Sequence, residues 1–526
     1  MKYIIGEDRH QSYLFPISLE KSIDIDNEVR FIDVFVESLN LETMGFRLDH
    51  IENGRPAYHP KDLIKLYIYG YMNRIRSSRE LERASKINIE VMWLLKNLSP
   101  DHNTISNFRR DNPKSIKQVF RSSVELAKNF ALIGGKLLAG DSTKIRAQNS
   151  KKNNYNEKKI KRHLEYIDNK LSEYNSQLSD NDGDNNGDND GDNNEQIQKE
   201  IEKHQQRKQN YQELQRELTT TQEKQISTSD PESRHMITRN NITEVAYNVQ
   251  STVDELHKIP IDYLVTNEND GKAMGKMLRR SKTILGNTNF ITLYDKGYHT
   301  GSEFKIASNL GLEVLVAIPK VAANAPNQAY NVSNFVYNET EDYYVCPQHQ
   351  ELRSTGKWHQ SKTFKFKRYI SKSCMTCPVK SECSKAKYGK AIQRSEYQQY
   401  IEANKKRIES NKEYYRQRQA IVEHPYGTIK RQWGFNYIMT KKYIKRAKAD
   451  MGLVFTAYTL RRIISIIGIK ELISYLSKLM HFFITHIGTS IIKIKRIEPF
   501  VFMSKKTMQK TYVQQKALYL LKISVY

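Results

Sequence analysis

Residues 137–146 read LLAGDSTKIR, a short apolar run that ends at an acidic residue, Asp141. An apolar run of this length, bounded by polar residues, favours a buried strand. A second acid, Asp295, follows the apolar run 290–294, and a third, Glu423, follows a charge-rich segment predicted to be helical. Oxygen ligands divided between strand ends and a helix hold hard divalent cations, and paired cations promote phosphodiester chemistry. The sequence therefore predicts a split carboxylate site.

The segments around these acids predict a mixed core. Residues 245–250 alternate apolar and polar side chains, the period of two that is typical of a strand with distinct faces. Residues 259–265 and 312–318 are further candidate strands, and 272–285 is a candidate helix that ends at Gly286. Strands in succession, followed by strands that alternate with helices, favour an α/β (α+β mixed) fold with two carboxylates at neighbouring strand ends.

Residues 1–130 read as short helices separated by Pro and Ser. Their order is typical of a helix-turn-helix-like DNA-binding domain, whose last helix, within 103–110, presents polar and basic side chains to a groove. Arg109 and Arg110 are the candidate DNA-binding residues of that helix. The alternative is an all-helical interaction or dimerisation domain, because no residue in this region is diagnostic by itself.

A helical insert interrupts the predicted core. Apolar residues from Ile160 to Leu178 recur at alternating intervals of four and three, the seam of a heptad repeat, and a less regular seam resumes further on. Residues 180–194 between the two seams are all Asp, Asn or Gly, so two antiparallel helices joined by a disordered tip are predicted. The tip half-matches an EF-hand loop, but Asn193 replaces the bidentate Glu, which favours a low-complexity linker.

The net charge indicates a polyanionic partner. The chain has 84 Lys and Arg residues against 59 Asp and Glu, a formal net charge of +25. Cationic side chains displace the counterions condensed on nucleic acid, so an excess of this size favours DNA binding over solubility alone. Basic residues concentrate in 424–450 and in 362–390, where interleaved aromatics suit base stacking; the alternative for either segment is a solvated helix face.

Neither a secretory signal nor a membrane span is expected. Charged residues at 7–9 interrupt the start before an apolar segment forms. Charges within 463–492 leave that run short of the ~20 uninterrupted apolar residues that a span needs. We therefore expect a cytoplasmic, nucleoid-associated protein without a membrane partner.

All four cysteines fall within residues 346–383. A C-x-x-C pair with two more thiols nearby favours a closed, tetrahedral Zn²⁺ site of the structural kind, and disulfides are disfavoured in the expected compartment. Two alternatives stay open: His349 as a substitute ligand, and four reduced thiols without metal. The candidate zinc ligands are Cys346, Cys374, Cys377 and Cys383.

Several ordered motifs give the sequence a family resemblance: Tyr58–Pro60, Asp141–Ile145, Asn149–Asn153, Tyr247–Gln250, Asp295–Tyr298 and Glu423–Gly427. With these motifs the chain resembles, over residues 10–468, the DDE transposases of bacterial insertion sequences. The resemblance implies a ribonuclease-H-like catalytic core, an N-terminal all-helical domain and a small zinc-ribbon-like insert. That insert is expected to contact DNA or a protein partner rather than to take part in chemistry.

The resemblance also implies two-metal chemistry on double-stranded DNA. Asp141 would bridge two Mg²⁺ or Mn²⁺ ions, and Asp295 and Glu423 would each complete one metal site. Water would be the nucleophile in strand cleavage, and a DNA 3′-hydroxyl in strand transfer. The implied partners are terminal inverted repeats and target DNA, bound by a homodimer or a larger synaptic assembly.

The helix before Glu423 carries part of the family's Tyr, Arg, Glu, Lys signature. Tyr415 and Arg418 precede the acid, and Lys430 follows it at the family's interval. The interval from Arg418 is one residue longer than in the family, and Gln419 occupies the expected Arg position. The hairpin type of cleavage that is linked to this signature is therefore left open.

Four basic residues near the acids are candidate DNA contacts. Arg418, Lys430 and Arg431 are candidates for the terminal phosphates, with generic basic surface as the alternative. Lys144 lies three residues after Asp141, so on a strand it points to the opposite face, where we expect contact with the DNA backbone.

Two other functions stay open. The alternatives are a metal-dependent nuclease of the same fold and an inactive or domesticated sequence-specific DNA-binding protein; the presence of all three carboxylates argues against inactivity.

The sequence divides into seven expected segments. The expected boundaries are 1–130 for the N-terminal domain, 131–155 for the start of the core, 156–225 for the helical hairpin, 226–335 for the continued core, 336–394 for the cysteine-bearing insert, 395–468 for the C-terminal core helices, and 469–526 for an unassigned tail.

Overall fold

The computed structural model describes residues 18–48, 56–183, 190–238, 242–320, 324–440 and 442–479; the side chains of 180–193 are also outside the description. The Asp/Asn/Gly tip with its partial EF-hand match, and most of the predicted tail 469–526, therefore lie outside the described residues. The described chain contains N-terminal helices, a six-stranded sheet with a helical insert, a five-stranded sheet, and long C-terminal helices.

Helices dominate the N-terminal region, as predicted. Pro60 and Pro113 occupy first-turn positions, where a missing N–H is tolerated, and the side chains of Asn88 and Asp101 accept first-turn N–H groups. Ser77 precedes a helix, but its side chain makes no capping bond. The helices are α1 (Glu28–Glu37), α2 (Pro60–Met72), α3 (Ser78–Ile87), α4 (Ile89–Leu94), α5 (His102–Asp111) and α6 (Pro113–Asn129).

The second region holds the central sheet and its insert. Its elements are β1 (Leu137–Arg146), β2 (Asn154–Tyr155), α7 (Glu157–Gly183), α8 (Asp190–Thr221), β3 (Ile226–Ser227), β4 (Arg234–Ile237), β5 (Thr243–Asp254), β6 (Pro260–Thr266), α9 (Met274–Leu285), β7 (Ile291–Tyr294), α10 (Gly301–Asn309) and β8 (Glu313–Val316). β2 and β3 pair with each other as a short separate ribbon.

β1 lies in the middle of the central sheet. It pairs antiparallel with β5, and β5 pairs antiparallel with β6 and with the short β4. On its other side β1 pairs parallel with β7, which pairs parallel with β8. The resulting order, β6-β5-β1-β7-β8, confirms the predicted α/β (α+β mixed), ribonuclease-H-like core.

The helical insert is an antiparallel pair, α7 and α8, as predicted. Side chains meet in reversed order along the two helices: His163 stacks on Tyr211 with ring centroids 4.9 Å apart, and Asp168 pairs with Lys208 at 2.7 Å. At the base of the pair Ile160 is buried, so the predicted seam starts where the insert leaves the sheet.

A second, five-stranded antiparallel sheet carries the cysteines. Its strand order is β13-β12-β11-β10-β9, and its small apolar core includes Tyr344, Leu352 and Tyr369. The elements are β9 (Val336–Asn338), β10 (Tyr343–Val345), β11 (Glu351–Gln360), β12 (Lys365–Ile370), α11 (Lys380–Cys383) and β13 (Ile392–Ser395).

The charge-rich segment before Glu423 forms two helices rather than one. They are α12 (Gln398–Ser410) and α13 (Lys412–Tyr426), separated at Asn411. Pro425 lies in the last turn of α13, directly before a π-helical turn, Gly427–Gln432, since proline cannot continue a regular hydrogen-bond ladder. The last numbered helix is α14 (Ile444–Ile467).

α14 is buried along most of its length because it packs against α2 and α6 of the N-terminal region and against β6 of the sheet. α13 covers the opposite face of the sheet, over β1, β5 and β7. Among the described residues, no single helix is long and apolar enough to cross a membrane. Two consecutive helices, Ile444–Ile467 and Ile469–Leu479, reach that length and apolar composition only when they are counted together, and the chain bends sharply between them.

A buried ionic cluster joins α14 to the N-terminal helices. Asp450 is fully buried; its Oδ2 lies 3.5 Å from Nη2 of Arg76, and its Oδ1 lies 3.4 Å from Nη1 of Arg109. The Tyr71 hydroxyl donates to Asp450 and accepts from Arg109 at 2.7 Å, and the Met439 N–H donates to Asp450 at 2.7 Å. One carboxylate therefore balances two buried cations.

Asp450→Ala is expected to destabilise the protein strongly, because removing one partner of a buried ion pair leaves uncompensated charge and costs about 3–5 kcal/mol. Urea unfolding followed by circular dichroism measures the free energy of unfolding. Glu413→Ala is the control, since the Glu413 ion pair with Arg416 is exposed and is expected to contribute little. Equal stability of the two variants would contradict this account of the cluster.

Candidate active site

Asp141 lies on β1, opposite Ser251 of β5. Its side chain accepts a hydrogen bond from the N–H of Ser142 at 2.7 Å. The residue before it is glycine for a steric reason, because a Cβ at Gly140 would lie 2.0 Å from Cε1 of Tyr294. The tyrosine ring of the neighbouring strand β7 thus packs directly against the β1 backbone beside the acid.

Asp295 directly follows β7 and begins a 3₁₀ turn, Lys296–Tyr298. β1 and β7 run parallel with Ala139 opposite Leu293. Asp141 and Asp295 are each two residues further on, so they lie at the same level of adjacent strands. The structure therefore brings these two predicted site residues together.

The electrostatic surroundings of Asp141 differ from those of an ordinary surface carboxyl. Burial raises its pKa, and the negative charges of Asp295 and Asp270 act in the same direction, whereas the Arg418 guanidinium opposes them. Nη1 of Arg418, on α13, lies 3.3 Å from Oδ2 of Asp141. Because Asp141 is half-buried and has acidic neighbours, a cation placed beside it would stabilise its charged form.

Glu423 does not face the aspartate pair in the structure. It is exposed, and its Oε1 accepts a hydrogen bond from Nε2 of Gln419 at 2.8 Å. Arg418 and Glu423 are five positions apart on α13, which places their side chains about 140° apart around the helix axis. Within the described ranges, no three His, Cys, Asp or Glu side chains converge closely enough to hold a metal ion.

The π-helical turn after α13 holds a lysine close to the Asp141 side of β1. Nζ of Lys430 donates to Oγ1 of Thr143 at 3.0 Å and to the carbonyl oxygen of Lys144 at 3.2 Å. Thr143 is two residues after Asp141, so both side chains are on the same face of the strand. Arg431, the next predicted DNA contact, is exposed.

Lys144 lies on the opposite face of β1 from Asp141, as expected. Its Nζ donates to Oγ of Ser142 at 3.0 Å and pairs with Oδ2 of Asp270 at 3.3 Å. Asp270 precedes α9 and was not predicted as a site residue. It lies in a polar loop that matches no motif, so only the folded chain places it near Asp141 and Asp295.

The two arginines predicted to contact DNA from α5 have different surroundings. Arg110 is exposed and pairs with the adjacent Asp111 at 2.6 Å. Arg109 is only 3% exposed and belongs to the Asp450 cluster, so the prediction that it contacts a DNA groove does not suit its position. In a helix the two neighbours point about 100° apart. Arg109 is stable in the core because Asp450 balances its charge and the Tyr71 hydroxyl accepts a hydrogen bond from it.

The four cysteines all line one cavity, together with Phe335 and Lys390. All are free thiols and half-buried; burial raises the pKa of Cys374 and of Cys383. Gln348 and Gln350 also line the cavity, whereas His349 is outside the lining, which disfavours His349 as a substitute ligand.

Two segments of the chain match known transposase families. Residues 17–111 match the family model described as "Transposase domain (DUF772)", and residues 345–464 match "Transposase DDE domain". One similar solved structure is a piggyBac transposase synaptic complex with hairpin DNA; it is 9% identical, with 93% of this chain and 85% of that chain covered and a TM-score of 0.31. No curated protein matches the chain.

A ribonuclease-H-like sheet with one aspartate within a central strand and a second at the same level, directly after the adjacent parallel strand, is typical of enzymes that act on phosphodiesters with divalent metal ions. The two family matches narrow this class: residues 17–111 are similar to a transposase domain, and residues 345–464 are similar to a transposase DDE domain. The matched DDE segment, 345–464, includes Glu423 and Lys430.

Gly140→Ala is expected to lower the thermal midpoint, because a methyl group there overlaps the Tyr294 ring and overpacking of a dense core costs about 1–3 kcal/mol. Differential scanning calorimetry measures the change. Gly427→Ala is the matched control, since a Cβ at Gly427 meets nothing within 4 Å and its φ of −60° suits alanine. A fall of the same size in both variants would contradict the steric account.

Proposed function

We propose that this DDE transposase recognises the terminal inverted repeats of its own element, cleaves phosphodiester bonds there and joins the ends to target DNA as a homodimer or larger assembly. The activity belongs to the cytoplasm, on the nucleoid. The observation that carries the proposal is the placement of Asp141 and Asp295 at one level of adjacent parallel strands, under the helix that bears the third predicted acid.

The donor set of this site suits Mg²⁺ or Mn²⁺, because carboxylate oxygens are the ligands that hard cations prefer. When bound, paired divalent ions activate the attacking oxygen and stabilise the leaving oxygen. Asp141 is the residue best placed to be a ligand of both ions, because Asp295 lies on one side of it and α13 lies on the other.

Glu423 remains the proposed third carboxylate. α13 has two acidic residues, and the other, Glu413, is paired with Arg416 in the first turn of the helix. Glu423 precedes Tyr426 by three residues, and the Tyr426 hydroxyl donates to the carbonyl oxygens of Val249 (3.1 Å) and Asp141 (3.4 Å). Glu423 is therefore within one helical turn of a residue that contacts the Asp141 backbone.

Basic residues around the pair are proposed to hold the DNA backbone. Arg418 and Lys430 lie on the Asp141 side of the sheet, where a scissile phosphate has to be placed for cleavage. Guanidinium and ammonium groups bind phosphate oxygens through charge-assisted hydrogen bonds. Arg431 and Arg110 are exposed and are proposed to contact the flanking backbone.

The hairpin of β11 and β12 is proposed as a further DNA contact. Trp358 is 47% exposed, Nζ of Lys367 lies 5.5 Å from its ring centroid, and His359 stacks on Phe366. Exposed aromatic faces beside cations are suited to base stacking with phosphate contact.

We also propose that the four cysteines, which do not yet converge as a ligand set in the structure, close around one structural Zn²⁺ ion when it binds. They come from three separate segments of the insert yet line the same cavity. Four thiolates match the tetrahedral ligand set of structural zinc sites, whose formation stabilises small sheets with little apolar core.

Loss of one acid is expected to remove cleavage and leave DNA binding. Asp141→Asn and Glu423→Gln should each lower the rate of Mg²⁺-dependent cleavage of DNA that carries the element's ends by roughly 10²-fold or more, because each removes transition-state charge stabilisation. Electrophoretic mobility shift of the same DNA should change little.

Glu413→Gln is the matched control for Glu423→Gln, since both acids are exposed on α13. Full cleavage by Glu423→Gln would remove this residue from the site. DNA cuts made by the wild-type protein at the boundaries of inverted repeats would support a transposase. Nicking at many unrelated positions would favour a nuclease. Binding of the DNA without cleavage would favour a DNA-binding protein.

Purified protein is expected to contain about one Zn²⁺ per chain by plasma mass spectrometry. Cys374→Ser should lower that content and the thermal midpoint of the insert, whereas Ser373→Ala, next to it, should change neither. Four thiols that react at once with a thiol reagent in folded, zinc-free wild-type protein would contradict the zinc proposal.

A further inference from the structure

Motif residues that take no direct part in the proposed chemistry converge on one half-buried acid, Asp270. Its Oδ1 accepts hydrogen bonds from Nδ2 of Asn248 and from Nε2 of Gln250, both at 2.7 Å, and its Oδ2 pairs with Nζ of Lys144 at 3.3 Å. Lys144 in turn donates to Ser142. These partners lie on β1 and β5, directly beside Asp141.

The same network reaches the turn that carries Asp295. Oε1 of Gln250 accepts a hydrogen bond from the hydroxyl of Tyr298, the last residue of that turn. Gln250 therefore uses both ends of its amide, one on Asp270 and one on Tyr298. Because Tyr298 is buried, the turn has little freedom to move relative to β5.

Gly297 measures how close the two acids are. A Cβ at this position would lie 3.0 Å from Oδ1 of Asp295 and 3.4 Å from Oδ2 of Asp270. The two carboxylates therefore both lie close to one backbone position, where an added Cβ would press on the Asp295 carboxylate.

Asp270 is held in its charged form. Burial alone would raise its pKa, but the Lys144 charge and the hydrogen bonds from Asn248, Ser142 and Gln250 together lower it below the usual value. Its charge adds to that of Asp295 at Asp141, where both raise the pKa. Asn248 and Gln250 thus stabilise an extra anion next to the catalytic pair.

We propose that Asp270 is a positioning residue of the transposase site: it anchors the Asp295 turn against β1 and β5, and its charge, partly balanced by Lys144, strengthens the binding of a divalent cation by Asp141 and Asp295. The inference rests on the proposed metal-dependent function. Lys144 acts as the opposing charge, so its removal has the opposite effect on cation affinity.

The test measures Mn²⁺ binding to the full-length protein without DNA, by the loss of the free-ion electron paramagnetic resonance signal. Asp270→Asn keeps the shape and removes the charge, so the Kd for Mn²⁺ is expected to rise roughly tenfold, the lower range for loss of a residue that orients metal ligands. Lys144→Gln is expected to lower the Kd. Lys272→Gln, an exposed lysine of the Asp270 turn, is the control and should have the smaller effect.

Cleavage measured against Mn²⁺ concentration separates positioning from a merely structural role. For Asp270→Asn, the half-saturating Mn²⁺ concentration should rise with the Kd while the rate at saturating Mn²⁺ recovers to near that of wild-type protein. An unchanged Kd, or a Kd that rises in Lys144→Gln, would overturn the inference even if Asp270→Asn folds poorly. Wild-type protein that neither binds Mn²⁺ nor cleaves would overturn the proposed function as well.

Discussion

The parallel pairing of β1 with β7 determines the site, because it sets two aspartates from distant parts of the chain at the same level. Ala139 lies opposite Leu293, and a shift of one residue would turn one carboxylate to the other face of the sheet. Tyr294 helps to hold this register, since its ring covers the β1 backbone at Gly140, where no side chain fits. The glycine before Asp141 is thus part of the site through packing rather than through chemistry.

Placing like charges side by side under a helix has a cost, and the surrounding residues offset it in two ways. On one face of β1, Arg418 of α13 lies against Asp141. On the other face, Lys144 and the amides of Asn248 and Gln250 surround Asp270. Neutral amides stabilise an anion without cancelling its charge, so the negative potential at the pair remains. Negative charge therefore remains at the site, while each of the three aspartates accepts at least one hydrogen bond.

Sequence reasoning succeeded where the signal is local and periodic. The apolar runs before Asp141 and Asp295 predicted two strands, and the seam from Ile160 predicted the antiparallel helix pair. The predicted strand end was correct for Asp295 and wrong for Asp141, because pairing with β5 continues β1 to Arg146. It did not find Asp270, because the bonds that define its role come from β1 and β5, which only folding brings to it. It also placed Arg109 in a groove, since basic residues at the end of a short helix look alike in sequence whether or not a distant acid, Asp450, buries one of them. The direction of Glu423 around α13 depends on where that helix packs, which spacing alone does not determine.

The ionic cluster at Asp450 makes the N-terminal helices and the catalytic sheet parts of one folded unit. The two matched family segments, 17–111 and 345–464, are far apart in the chain, yet Arg76 and Arg109 from the first share the Asp450 carboxylate of the second. Separated from α14, the first segment would expose apolar surface of α2 and leave two buried cations without a counter-charge. Because α14 also packs on β6, the orientation of any DNA held by the N-terminal helices is tied to the sheet that bears Asp141 and Asp295. In the proposed function, recognition and cleavage are thus connected through a buried helix that packs on both regions.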